Sequence, residues 1–295
     1  MLRKDRRFLW LFLAPTALLL AVFLYYPMVG TIIESFYKTS FVNPEPQFAG
    51  TELYDRMFAS RDFYEVLVNS VVWTVGVVLL QNVLGFFTAL LLDRHLPFRG
   101  LTRAIVLLPW VLPGVVAAIL WRFLYDPQLG LVNSLMIRLG IADTGAAWLA
   151  DSGTAMAAVI FAAVWKGFPF STLIYLAALQ NVDREQLEAS TIDGAGPFRR
   201  LVDVILPAIR SVILVNVVLT TILTFNYFDM VWVLTRGGPQ NATHIFPTQI
   251  FELGFGQFRF GEAATYGTMS ILVLAVLVSL YVVAQRSGAA RRRRA

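Results

Sequence analysis

The chain has no cysteine and only two histidines, His95 and His244, among its 295 residues. Disulfide frameworks, thiolate metal sites and cysteine nucleophiles are thereby excluded, and so is a metal centre built from several histidines. Charge is scarce as well. Asp, Glu, Lys and Arg make up 15% of the residues, where a soluble domain carries about 25%. In their place the chain is 57% hydrophobic and 14% aromatic, with a mean hydropathy of +0.66. Those values argue against a soluble enzyme, a disordered chain and a coiled coil. A Gly-x-x-x-x-Gly-Lys-[Ser/Thr] stretch is also missing, so the chain lacks the loop that cradles ATP phosphates.

The gaps between charges show what the chain does contain. A membrane-spanning helix needs about 20 mostly apolar residues. Five runs carry no charge at all: Phe8 to Ile33, Val66 to Leu92, Ala104 to Trp121, Ser211 to Phe228 and Ala263 to Gln285. A sixth, Thr154 to Val182, is interrupted only by Lys166. The expected architecture is all-α and integral to the membrane, a single domain of six spans over about 8–33, 66–92, 104–125, 154–182, 210–234 and 263–286. The first run is too long for a secretory signal, whose apolar region covers about 7–15 residues. Pro15, Pro109, Pro113 and Pro169 fall inside spans, which packed membrane helices tolerate.

Orientation follows from the distribution of Lys and Arg. With the N-terminus inside, the inner segments hold 16 Lys/Arg against 7 Asp/Glu, and the outer segments 7 against 11. Both termini are expected in the cytoplasm, with Arg291 to Arg294 as a basic tail beside anionic lipid rather than a nucleic-acid contact. Leu131, Leu135 and Leu139 fall four apart and Gly140 supplies a stop, which predicts a short amphipathic helix in an outer loop. His95 and His244 fall in loops and are expected to be solvated.

One inner segment, 183–208, has a plan of its own. Asp183 to Ile192 reads as a polar helix, and Asp193-Gly194-Ala195-Gly196-Pro197 breaks it. Gly194 suits a left-handed helix end and Pro197 the first turn of the next helix. A second amphipathic helix follows, with Phe198, Leu201, Val202 and Ile205 on one face, ended by Leu206-Pro207. Two short helices joined by a glycine turn form a knob suited to docking into another protein.

Glu188-Ala189-Ser190, three residues, Gly194, nine residues, then Val204-Ile205-Leu206-Pro207 resembles the EAA loop of binding-protein-dependent ABC importers. The chain departs from that pattern at Ser190 and Val204. Tyr26-Pro27, Leu107-Leu108-Pro109-Trp110, Trp165-Lys166-Gly167-Phe168-Pro169-Phe170 and Leu234-Thr235-Arg236-Gly237-Gly238-Pro239 are similar to the sugar-importer branch, the maltose- and glycerol-phosphate-type permeases. The resemblance implies the type I importer fold and a permease subunit of the prokaryotic cytoplasmic membrane, not an enzyme. Its implied partners are a second permease in a heterodimer, a cytoplasmic ATPase dimer gripping 183–208, and an extracytoplasmic substrate-binding protein. It implies no cofactor in this chain, since ATP is bound by the ATPase. Glu188, Ala189, Ser190, Asp193, Gly194 and Pro207 would couple transport to that ATPase.

Ionisable groups within spans are functional candidates, and there are two, Lys166 and Asp229. They are expected to pair or to share a polar network beside the path. The fifth span adds Asn216, Thr220, Thr221, Thr224, Asn226 and Tyr227, either as sugar contacts or as bonds across helices. Asn226 and Asp229 are three apart, so both are expected to point to one side. The resemblance assigns sugar-lining positions to Ala163, Lys166, Gly167 and Phe170 in the fourth span, and to Phe225, Asn226 and Asp229 in the fifth. The implied substrate is a di- or oligosaccharide or related polyol, with glycerol 3-phosphate as the alternative. A self-contained secondary transporter would need carboxylates within several spans, and a membrane enzyme a cluster of acids, for which only Glu188 with Asp193 offers itself.

Overall fold

In the computed structural model, which describes residues 12–42, 44–94 and 98–292, helices dominate. The basic residues Arg3, Lys4, Arg6 and Arg7, together with His95, Arg293 and Arg294, lie outside the described residues. Helix α1 covers Phe12–Glu34, and a two-stranded antiparallel ribbon follows, β1 (Tyr37–Lys38) against β2 (Gln47–Phe48). Next come α2 (Glu52–Ala59), α3 (Arg61–Asp93), α4 (Arg99–Val111), α5 (Gly114–Leu124), α6 (Leu131–Arg138), α7 (Ala155–Leu179) and α8 (Arg184–Ile192). Helix α9 runs over Pro197–Phe225, followed by α10 (Phe228–Thr235), α11 (Phe246–Phe251) and α12 (Phe260–Arg292). Five helices among the described residues are long and apolar enough to cross a membrane, and α4 with α5 makes a sixth if that bent pair is one span.

Three features depart from the sequence reading. The third span is not one helix over 104–125: α4 and α5 meet at 96°, because Leu112 and Pro113 are both extended. The fifth span is likewise interrupted, with Asn226 and Tyr227 outside both α9 and α10. Conversely, Leu206-Pro207 ends nothing. A π-turn over Leu201–Ile205, closed by the Leu206 N–H on the Leu201 carbonyl, precedes the proline and lets the helix run on. The same device, Ala21–Tyr25, precedes Pro27 in α1. A wider turn shifts the hydrogen-bond register locally, which accommodates a residue without an N–H.

Among the described residues, those up to Tyr64 form one compact unit with Gln249–Val273. In it α2 buries Leu53 and Met57, and the Tyr37 and Phe48 rings meet across the ribbon at 5.5 Å. Glu52 accepts from Lys38 and Arg56, both at 2.5 Å. The Lys38 bond holds the Glu52 carboxyl below its usual range, so this exposed contact is present at neutral pH and fades as the solution is acidified through that lowered value.

The second unit comprises Glu65–Thr248 and the described residues from Leu274 onward. At its centre stands α7, against which α4, α5, α9 and α10 all pack. Small side chains permit the close approach: Ala158, Ala162 and Ala163 of α7 meet Ala117 and Ala118 of α5 in a core completed by Trp73, Trp121, Met230 and Val231. Toward the other end, Tyr175, Leu176 and Leu179 pack with Ala89, Leu92 and Ile209. Between these cores lies a polar hub. The Asn82 carboxamide oxygen accepts from Tyr175 at 2.5 Å and Asn216 at 2.8 Å, and its nitrogen donates to Thr220 at 3.1 Å. Such intramembrane bonds contribute roughly 0.6 kcal/mol each, and here they fix the rotation of α3, α7 and α9 about their axes.

The loop between α5 and α7 is tied by one buried residue. Asn133 of α6 accepts from the Ala146 N–H and the Trp148 indole, and donates to the Ala146 and Pro127 carbonyls. Asp126 closes the adjacent turn by accepting from the Leu129 and Gln128 N–H groups, which hold its carboxyl below the usual range.

Candidate functional site

A cavity of about 320 Å³ opens within the second unit, between α3, α4, α7 and α9. Ala163, Lys166, Gly167 and Phe170 of α7 line it, since positions three and four apart share one helix face. Trp110 of α4 supplies an aromatic wall with Phe170, the rings 6.1 Å apart and inclined at 31°. Thr220, Leu223 and Thr224 of α9, Val77 and Gln81 of α3, and Tyr227 at the break of the fifth span complete it. The lining thus combines flat aromatic faces with hydrogen-bonding groups and one ammonium.

The fourth-span candidates are therefore brought together, and the fifth-span ones are not. Phe225 is buried and packs on Phe246, with ring centroids 5.9 Å apart. Asn226 is exposed and turns its amide back onto the Ile222 carbonyl at 2.9 Å. Asp229 lies in the first turn of α10, beside the start of α5. A Cβ at Gly114 would stand 2.9 Å from Asp229 Oδ2 and 3.0 Å from the Tyr227 hydroxyl. The break between residues 226 and 228 thus separates Asn226 from Asp229. Among the described residues no ion pair joins Lys166 to Asp229, although the two charges are within coulombic reach. Asp229 instead faces the positive end of α5, where a carboxylate is stabilised.

Sequence reasoning passed over Gln81. Its signal was present: Gln81-Asn82 is a pair of adjacent amides in the middle of a charge-free run. Trp110 stood in a motif without a role, and the Thr220, Thr224 and Tyr227 positions were open between path and packing. His244, expected in solvent, is 7% exposed, with Nδ1 3.2 Å from the Thr248 hydroxyl.

The knob is well built. Asp183 caps α8 by accepting from the Glu185 N–H at 2.9 Å. At the other end Gly194 takes φ +74°, the Ala195 N–H reaches the Ser190 carbonyl, and the Gly194 N–H reaches that of Thr191. That double closure stops a helix where the residue after its cap is left-handed. Arg200 then bonds Thr191 at 3.2 Å and joins the two arms. Glu188, Ala189, Asp193 and Gly194 are exposed, Ser190 and Pro207 half-buried. Two apolar side chains stand out in solvent, Ile192 at 87% and Phe198 at 78% exposure.

Residues 81–294 match the family described as "Binding-protein-dependent transport system inner membrane component". The chain belongs to this family. The permease is 34% identical over 289 residues to the trehalose/maltose transport system permease protein MalF of Thermococcus litoralis, covering 98% of this chain and 96% of that one. It is 32% identical to the lactose transport system permease protein LacF of Rhizobium radiobacter, covering 94% and 93%. Its fold matches a chain in the crystal structure of a bacterial ABC transporter that imports the acidic polysaccharide alginate, with a TM-score of 0.82 over 97% of this chain and 98% of that one at 24% identity. The permease accordingly has the type I importer fold. It is a multi-pass component of the prokaryotic cytoplasmic membrane and a transport subunit rather than an enzyme.

Proposed function

We propose that the permease forms one half of the path for a sugar, a di- or oligosaccharide or related polyol, and transmits the work of a separate ATPase to that path. The observation that carries this reading is the cavity, which the Trp110–Phe170 pair lines together with Gln81, Lys166 and the α9 threonines. Apolar ring faces stack on aromatic side chains while hydroxyls need donors and acceptors, and a site offering both suits a hydroxylated ring. Relatives named for trehalose, maltose and lactose support the same substrate class.

The partners would be a second permease, an ATPase dimer at the 183–208 knob and an external binding protein. Both termini and the knob then face the cytoplasm, as the excess of Lys and Arg in those segments favours. Exposed Ile192 and Phe198 would fill an apolar recess of the ATPase, with Glu188 and Asp193 at its rim. Uptake of radiolabelled sugars by the assembled importer in proteoliposomes tests the reading. Glu188→Lys or Gly194→Val should abolish uptake and stimulated ATP hydrolysis while membrane insertion persists. The valine carries a left-handed penalty of about 1–2 kcal/mol. Uptake retained in both variants refutes the coupling role.

A further inference from the structure

The space above Gly167 is filled by another residue of the same chain. A Cβ built on Gly167 would overlap the carboxamide oxygen of Gln81, so the missing side chain in α7 seats a side chain from α3. Gln81 is 6% exposed, and its nitrogen donates to the Ser171 hydroxyl at 3.3 Å. One turn further along α7 from Gly167, Ser171 thus aims the carboxamide along the cavity wall. The amide uses a single N–H in that bond. Its oxygen and its second N–H have no hydrogen-bond partner among the described residues, and Gln81 lines the cavity beside Lys166. An amide presents an acceptor and a donor on adjacent atoms, the complement of a pair of neighbouring hydroxyls. The Lys166 ammonium, which has no ion pair among the described residues, adds donors on the same wall.

We propose that Gln81 of the second span is a specificity-determining substrate contact, reading vicinal hydroxyls of the sugar, and that Gly167 is glycine so that Gln81 can stand over it. This rests on the reading of the cavity as the sugar path. Gly167 then touches the substrate through Gln81, not directly, and Ser171 is a positioning residue.

The test uses the assembled importer with its binding protein in proteoliposomes. The probes are a radiolabelled panel of neutral disaccharides, trisaccharides and glycosyl glycerols, ranked by uptake. Gln81→Leu keeps the side-chain bulk and removes its donors and acceptor. It is expected to lower uptake of the best probe by about tenfold or more, the scale of one lost hydrogen bond to a hydroxyl, and to change the ranking of the panel. Gly167→Ala adds one methyl, which only the flexible end of Gln81 must clear, and is expected to change the ranking in the same direction. In a Gln81→Ala background the same alanine should cost nothing further. Assembly is followed by co-purification with the partner subunits. If Gln81→Leu does not assemble, Gly167→Ala alone and in the Gln81→Ala background decides the matter.

A structural role for Gln81 would scale uptake of every probe equally, and an unchanged ranking overturns the proposal. So does a Gly167→Ala effect that multiplies with Gln81→Ala. Trp110→Ala and Phe170→Ala separate the two levels of inference. If these reduce uptake while Gln81→Leu and Gly167→Ala leave it unaltered, only the assignment of Gln81 falls. If none of the four changes uptake, the cavity is not the path and both readings fall.

Discussion

The third span bends by 96° at Leu112–Pro113, whereas the fourth runs unbroken from Ala155 to Leu179 through Pro169. The third also passes through Pro109 without breaking. Proline therefore does not decide by itself where a membrane helix stops. Its missing N–H removes one bond and biases the preceding residue toward extended backbone, but a break also needs something to occupy the opened ends. At Pro113 the occupants come from the fifth span. Tyr227 and Asp229 reach the first residue of α5, so closely that a side chain at 114 would have to displace the Asp229 carboxylate or the Tyr227 hydroxyl. The fifth span, in turn, breaks at Asn226 with no proline near the break, since Pro207 lies toward the far end of the helix. The two interruptions form one junction, and the unbroken fourth span beside them carries four cavity residues in helical register.

That contrast can be broken most forcefully at Gly114. Gly114→Val should force Asp229 and Tyr227 away and cost about 1–3 kcal/mol, as overpacked sites do, read as a lowered unfolding midpoint of the assembled importer together with loss of uptake. Cavity variants such as Phe170→Ala should reduce uptake with little change in that midpoint. Next in size is Asp229. Removing a carboxylate from a partly buried helix N-terminus costs about 0.5–2 kcal/mol, so Asp229→Ala should lower the midpoint. Asp229→Asn, which keeps the shape, isolates the contribution of the charge, and equal midpoints for Asp229→Asn and the unaltered chain would show that the charge contributes nothing. The smallest effect belongs to Pro113→Ala. With Gly114, Asp229 and Tyr227 in place the bend should persist, so spin labels at residues 105 and 120 should keep their separation. A label separation that grows toward that of a straight helix would return the cause to the proline.

Much of this molecule was legible before any coordinates. Charge-free runs of sufficient length located the membrane helices, because spanning is a property of each segment alone. The Gly194 turn was legible for the same reason, since a left-handed residue followed by Pro197 closes one helix and opens the next locally. The four fourth-span candidates shared a face because their spacing matches the helix repeat. The interruption of the fifth span was not legible, since Asn226 and Tyr227 lie outside both flanking helices. Asn226 and Asp229 share a face only if nothing interrupts the chain between them, and no residue there announces the interruption. Leu206-Pro207 misled in the opposite sense, because a π-turn upstream absorbs a proline without a break.

The sequence by itself therefore determined the class of protein, the apolar helices and the glycine turn of the two-helix knob, each set by composition or by turns within a few residues. Tertiary packing alone decided which face of each helix looks into the cavity and where the third and fifth spans part. Helix rotation is fixed by contacts distant in sequence, such as Asn82 with Asn216 and Tyr175. For the same reason, Gln81 meets Gly167 only once α3 has packed against α7.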